Sequence, residues 1–161
     1  MLVGEQPGDQ EDLAGEPFVG PAGQLLRAAL EDAGFDPAEV YLTNAVKHFK
    51  WQARGKRRIH ERPNREEVLA CRMWLDEEIA AVRPEMIVAL GATAAGTLLG
   101  SAAKVTRDRG TFVPSTLAPL VSLTVHPSSI LRAPDSAARA EARRQFVADL
   151  KTFRRKLERM R

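Results

Sequence analysis

Pro84-Glu85-Met86-Ile87-Val88-Ala89-Leu90-Gly91 sets five consecutive apolar residues between two structure-breaking positions. A half-exposed strand alternates apolar with polar side chains, whereas an unbroken run marks a strand covered on both faces, as in a parallel sheet. Gly91 then turns the chain into a small-residue helix, Ala92 to Leu99. On the other side, Pro84 ends a helix whose start carries a capping box, Asn64 with Glu67 three residues later. That helix places Val68, Cys71, Leu75, Ile79 and Val82 on one face. A buried strand between two amphipathic helices predicts a three-layer α/β domain.

The rest of the chain repeats the alternation. Met1-Leu2-Val3 reads as the end of a first strand, and residues 4–20 as a long polar loop. Pro21 suits the first turn of a helix running to about Ala33, with Leu26, Ala29, Leu30 and Ala33 inward and Gly34 closing it. Val40 to Thr43 reads as a strand ending at Asn44, and Leu120 to Val125 as a last strand ended by His126-Pro127. A helix from about Asp135 to the C-terminus completes the layers. With 161 residues, no repeat and no low-complexity linker, one domain is expected. No apolar run approaches a membrane span, so a cytoplasmic monomer without a membrane partner is the expectation.

Glu5, Asn44 and His126 each follow the end of a strand. In an open parallel sheet the carboxyl ends of the strands form the ligand crevice, so these three polar groups are expected to converge there. The charge is distributed unevenly too. The first forty residues carry nine acids against one base, Arg27, while residues 47–62 carry seven Lys or Arg against Glu61. An acidic loop beside a basic one suits a protein that grips phosphates at one edge and does chemistry at another.

Each candidate has a plainer role beside the functional one. Phe18, in so polar a loop, is either a plug packed back on the domain or a stacking surface for a flat ligand. The Asn44 amide has both donor and acceptor for a pyrimidine edge, although capping the strand end is its simpler role taken alone. His60 follows Lys56-Arg57-Arg58, where clustered cations favour a neutral, nucleophilic imidazole, but a phosphate contact is the commoner use of such a histidine. Ser128, Ser129 and Arg132 suit gripping a phosphate backbone, with His126 aimed into the crevice. A metal site from His48, His60 and His126 is disfavoured by their spacing and cationic setting. The lone Cys71 reads as a small buried hydrophobe.

GEQPGDQEDLAGEPFVGPAG (4–23), TNAVKHFK (43–50), GKRRIH (55–60), ACRMWL (70–75), LGATAAGTLLG (90–100) and TVHPSSILR (124–132) stand in the order found in the iron–sulfur uracil-DNA glycosylases, which this chain resembles from Gly4 to Arg132. GEQPG with the KRRIH loop is similar to the covalent, UdgX-like branch. The resemblance implies a central four-stranded parallel sheet flanked by helices, with uracil flipped out of DNA, preferably single-stranded, into the crevice. It implies that Phe18, Asn44, Gly4 and Asp9 hold the base and that His126 stabilises the uracil anion. Glu5 and Gln6 would flank the reacting sugar, and His60 would bond to its C1′ and leave protein and DNA joined. Lys56, Arg57, Arg58, Ser128, Ser129 and Arg132 would hold DNA.

Family members also carry a [4Fe–4S] cluster, for which Cys71 and His48 match two ligands. The upstream Cys-x-x-Cys segment is missing from this sequence, so the expectation is an N-terminally truncated chain, a fragment or one whose start is assigned at an internal Met, whose basic loop has lost its anchor. Two other readings remain: a conventional glycosylase that releases an abasic site, with His60 only touching phosphate, and a non-enzymatic DNA-binding module.

Overall fold

A computed structural model describes all 161 residues. Four parallel strands form the central sheet in the order β2-β1-β5-β6: β1 (Leu2–Gly4), β2 (Leu42–Asn44), β5 (Met86–Leu90) and β6 (Leu120–Thr124). The helices are α1 (Asp9–Ala14), α2 (Pro21–Asp32), α3 (Arg65–Val82), α4 (Ala92–Leu99), α5 (Val105–Asp108), α6 (Pro127–Leu131) and α7 (Ser136–Met160). Two further strands, β3 (Trp51–Arg54) and β4 (Arg57–His60), make a separate antiparallel hairpin.

The apolar run at 86–90 explains the layering. Alternate strand residues point to opposite faces. Met86, Val88 and Leu90 join Leu26, Leu30, Phe146, Leu150 and Phe153 in a core beneath α2 and α7. Ile87 and Ala89 join Leu75, Ile79, Ala94 and Leu98 in a second core beneath α3 and α4. All five residues of β5 are buried, as are all five of β6. The fold is therefore the expected three-layer α/β/α domain around a four-stranded parallel sheet. No helix is long and apolar enough to cross a membrane.

Two segments differ from their sequence reading. Within the polar stretch 4–20, Asp9–Ala14 forms a helix, with Glu11 bonding back to Gly8 N–H (3.2 Å) and across to Gly20 N–H (2.8 Å). None of its residues is buried, so no apolar stripe announces it. The basic segment is not an open loop either. Trp51 pairs with His60 and Arg54 with Arg57 around a two-residue turn, Gly55-Lys56, in which Gly55 takes φ +60°. A glycine with positive φ at the first turn position lets the hairpin follow its own twist. Strand β2 begins two residues later than expected, because Pro37–Glu39 makes a short 3-10 turn before it.

Candidate active site

Because every strand of the sheet runs the same way, Glu5, Asn44, Gly91 and His126 all emerge at one edge. There a crevice of about 450 Å³ is lined by Glu5, His60, Arg62, Thr93, His126 and Arg132, among others. Of the three groups expected to converge, Glu5 and His126 meet in this crevice, whereas Asn44 lines a separate pocket with Glu11, Asp12 and Lys47; the hairpin brings His60 to the crevice.

Glu5 is held rather than free. Its Oε2 accepts a hydrogen bond from Thr93 N–H at 2.6 Å, at the start of α4. Its Oε1 makes no hydrogen bond within the protein, and the side chain lines the crevice. Gly91 makes this approach possible: a Cβ there would meet the Glu5 carboxyl at 2.8 Å and His126 Cβ at 3.0 Å, and its φ of +94° suits glycine alone.

His126 sits in a socket built by its own motif. Ser128 N–H donates to its Nδ1 at 3.1 Å, and Ser128 Oγ lies 2.8 Å from the same nitrogen. Ser129 Oγ donates to the His126 carbonyl at 2.8 Å, and Arg132 donates to Ser128 Oγ at 3.1 Å. A backbone N–H pointing at Nδ1 makes that nitrogen an acceptor, so in the neutral ring the proton belongs on Nε2. Burial pushes the imidazole below its ordinary pKa, with Arg132 and His60 adding to that push while Glu5 and Glu11 oppose it. A neutral donor therefore faces the crevice. The predicted phosphate contacts fare differently from one another: Ser128 is committed to His126, while Ser129 and Arg132 line the opening.

Behind this socket the buried Thr124 donates to Asp149 of α7 at 2.6 Å, and Asp149 also takes two bonds from Arg109 (2.8 and 3.0 Å). No sequence signal singled out this tie, because its members lie up to 40 residues apart.

Asn44 and Phe18 lie together under Gly4. Asn44 is 6% exposed and Phe18 4%. A Cβ on Gly4 would collide with both Asn44 Oδ1 and the Phe18 ring. Lys47 Nζ donates to the Asn44 carbonyl (2.8 Å), to Thr43 Oγ1 (2.8 Å) and to Glu78 (2.5 Å), which fixes the strand end and leaves the Asn44 amide for a ligand. Phe18 is a plug by its burial, yet its ring also stacks near His126, centroid to centroid 6.0 Å. Its φ of +57° is strained for an aromatic residue, and Gly23 on α2 leaves the room that its backbone needs.

Gln6 and the hairpin residues depart from their expected positions. Gln6 is 8% exposed; its Nε2 donates to Glu61 O (2.9 Å) and its Oε1 accepts from Lys50 N–H (3.4 Å). Its amide thus clamps the two ends of the hairpin instead of standing free beside a sugar. Arg58 lies between Phe49 and Trp51 and pairs with both Asp9 and Asp12 of α1. The cationic cluster expected around His60 is therefore partly neutralised, and Asp9 is engaged with Arg58. Lys56 and Arg57 stay exposed at the hairpin tip, without a carboxylate partner. The hairpin also has anchors that the sequence did not suggest: Gln6, Arg58, and Lys50 paired with Glu67 at 3.1 Å.

Cys71 Sγ lies 3.6 Å from His48 Nδ1, so the two predicted cluster ligands are neighbours. No group of three or more His, Cys, Asp or Glu is placed to hold a metal. A [4Fe–4S] cubane takes four protein ligands, so the residues of this chain do not fit one by themselves.

A parallel α/β domain with a polar crevice at its strand ends, and a buried aromatic ring against an unpaired amide at the same edge of the sheet, defines the class. Residues 1–151 match the family model of the uracil DNA glycosylase superfamily, and the chain belongs to that superfamily. It is 39% identical to a type-4 uracil-DNA glycosylase of Pyrobaculum aerophilum over 160 residues, 95% of this chain and 75% of the relative. It is 38% identical to that of Thermotoga maritima over 133 residues, 82% of this chain and 66% of the relative. A third type-4 enzyme, from Archaeoglobus fulgidus, is 43% identical over 95 residues, 59% of this chain and 44% of the relative.

Proposed function

We propose that this chain excises uracil from DNA, single strands preferred, and releases an abasic site. The observation that carries the reading is the buried Asn44 amide, left unpaired by the protein beside Phe18, whose ring in turn stacks near the neutral His126. Superfamily membership and the type-4 relatives support it. A flipped uracil stacks on Phe18 and pairs its edge with Asn44. The bond from C1′ to N1 breaks, and its electron pair leaves with uracil as an anion. His126 Nε2–H donates to that anion, a contribution of about 10²–10³ in kcat for a preorganised donor of this kind. The Glu5 carboxylate stabilises the cationic sugar, and water adds to C1′ and gives its proton to solvent.

A second reading is favoured by the position of His60 on the rim of the crevice that also holds Glu5 and His126. There an imidazole nitrogen of His60 bonds to C1′ in place of water, its ring proton passes to solvent, and DNA stays attached. One experiment separates the readings: uracil-containing single-stranded DNA is incubated with the protein and run on a denaturing gel beside a measurement of free uracil. Free uracil with abasic DNA and unmodified protein is expected. A slow-migrating species that disappears in His60→Ser would assign the covalent reading instead. Salt-sensitive binding indifferent to uracil, with no base released, would overturn both in favour of a DNA-binding module.

A further inference from the structure

The crevice does not end at His60. A groove of about 660 Å³ between the first half of α3 and α4 shares four wall residues with it, Arg62, Pro63, Ala92 and Thr93. We propose that this groove binds a nucleotide flanking the uracil on one side of the strand, its phosphate held by Arg62 and Arg65 and its unpaired base laid on Leu69. The inference rests on the uracil-DNA reading above and extends it to the path of the strand.

Three features support this occupant. The groove wall contains Arg62, Arg65 and Arg72 and no carboxylate. Arg72 is already committed, to Asp76 (2.7 Å) and to the Thr97 carbonyl, whereas Arg62 and Arg65 are exposed and enter no ion pair. Two free cations without a competing acid suit a phosphodiester. Leu69, also on the wall, is 60% exposed. An apolar surface beside cations suits an unpaired base with its backbone better than it suits a free anion. The pocket that holds Asn44 carries acids instead: Glu11, Asp12, Glu16 and Glu78 also line it, and its one cation, Lys47, is bound to Glu78, so it repels a phosphodiester while admitting a neutral base. A strand leaving the crevice is therefore steered toward α3 and α4. The capping box of Asn64 and Glu67 (2.7 and 2.9 Å) fixes the backbone between the two arginines.

The test measures binding of uracil-containing single strands trimmed stepwise from the 5′ or the 3′ end. Wild type is expected to lose affinity when nucleotides are removed from one end only. The Arg62→Ala/Arg65→Ala variant is expected to lose that margin on the untrimmed strand and to become indifferent to trimming at that end. Its salt dependence should be shallower by about 0.7 for each phosphate that the arginines no longer neutralise. Lys156→Ala/Arg159→Ala, which removes the same charge from the far end of α7, should keep the wild-type trimming pattern. Wild type insensitive to trimming, or an arginine variant weakened equally on trimmed and untrimmed strands, would overturn the groove. Failure of the uracil reading is separate and visible as wild type that releases no uracil from any strand.

Discussion

His126 and His60 open onto the same crevice but hang from supports of opposite kinds. His126 follows β6, whose five residues are all buried, and its ring is oriented by Ser128 and backed by the Thr124–Asp149–Arg109 tie. His60 ends a hairpin whose residues are almost all solvent-exposed, and polar ties to Gln6, Asp9, Asp12 and Glu67 hold that hairpin in place. The Ser128 N–H gives the first histidine a fixed tautomer, and burial depresses its pKa. Exposed ion pairs are worth little individually, so the support of the second is weaker than the buried strand that carries the first.

The contrast can be broken hardest from the sheet. Leu123→Ala removes a side chain that is 0% exposed in β6. It should cost about 2–5 kcal/mol of unfolding free energy, measured by urea titration. Uracil release should fall with stability, since His126 follows three residues later. An unchanged midpoint would mean that β6 is not the support described.

The pH profile sharpens the comparison next. The pKa of His126 lies below the ordinary 6.5 because the ring is buried, so the neutral donor persists at pH 7 and below. Uracil release should be flat near pH 7 and fall only on the acid side of 6.5, as protonated Nδ1 ceases to accept from Ser128 N–H. Stability should decline in the same direction, because the unfolded chain takes up this proton first as pH falls through 6.5. An acid limb above 6.5 would contradict the burial argument. The smallest effect belongs to the hairpin. Asp9→Asn/Asp12→Asn should leave the global unfolding midpoint in place and speed amide exchange in β3 and β4. Equal acceleration in β5 would show that hairpin and sheet are one cooperative unit.

The legible parts of this fold were those whose signal is local. The apolar run Met86–Leu90, the Asn64–Glu67 capping box and the Pro21 start each act through neighbours within a few residues, and each stands where expected. The hairpin at 51–60 was hidden because its side chains are cationic and exposed, so no alternation of apolar residues marks it; Gly55-Lys56 at the turn was the available clue. The α1 helix was hidden for a similar reason, having no buried face.

By itself, then, the amino-acid sequence determined the layered parallel sheet and the emergence of Glu5, Asn44 and His126 at its carboxyl edge. Both follow from periodicity and from the geometry of parallel strands. Only the tertiary structure decided what those groups do once there. The partners of Gln6 lie up to 55 residues away, those of Arg58 up to 49, and Thr93 is 88 residues from the carboxylate it holds. Contacts at such separations depend on how the layers pack, so no local pattern encodes them.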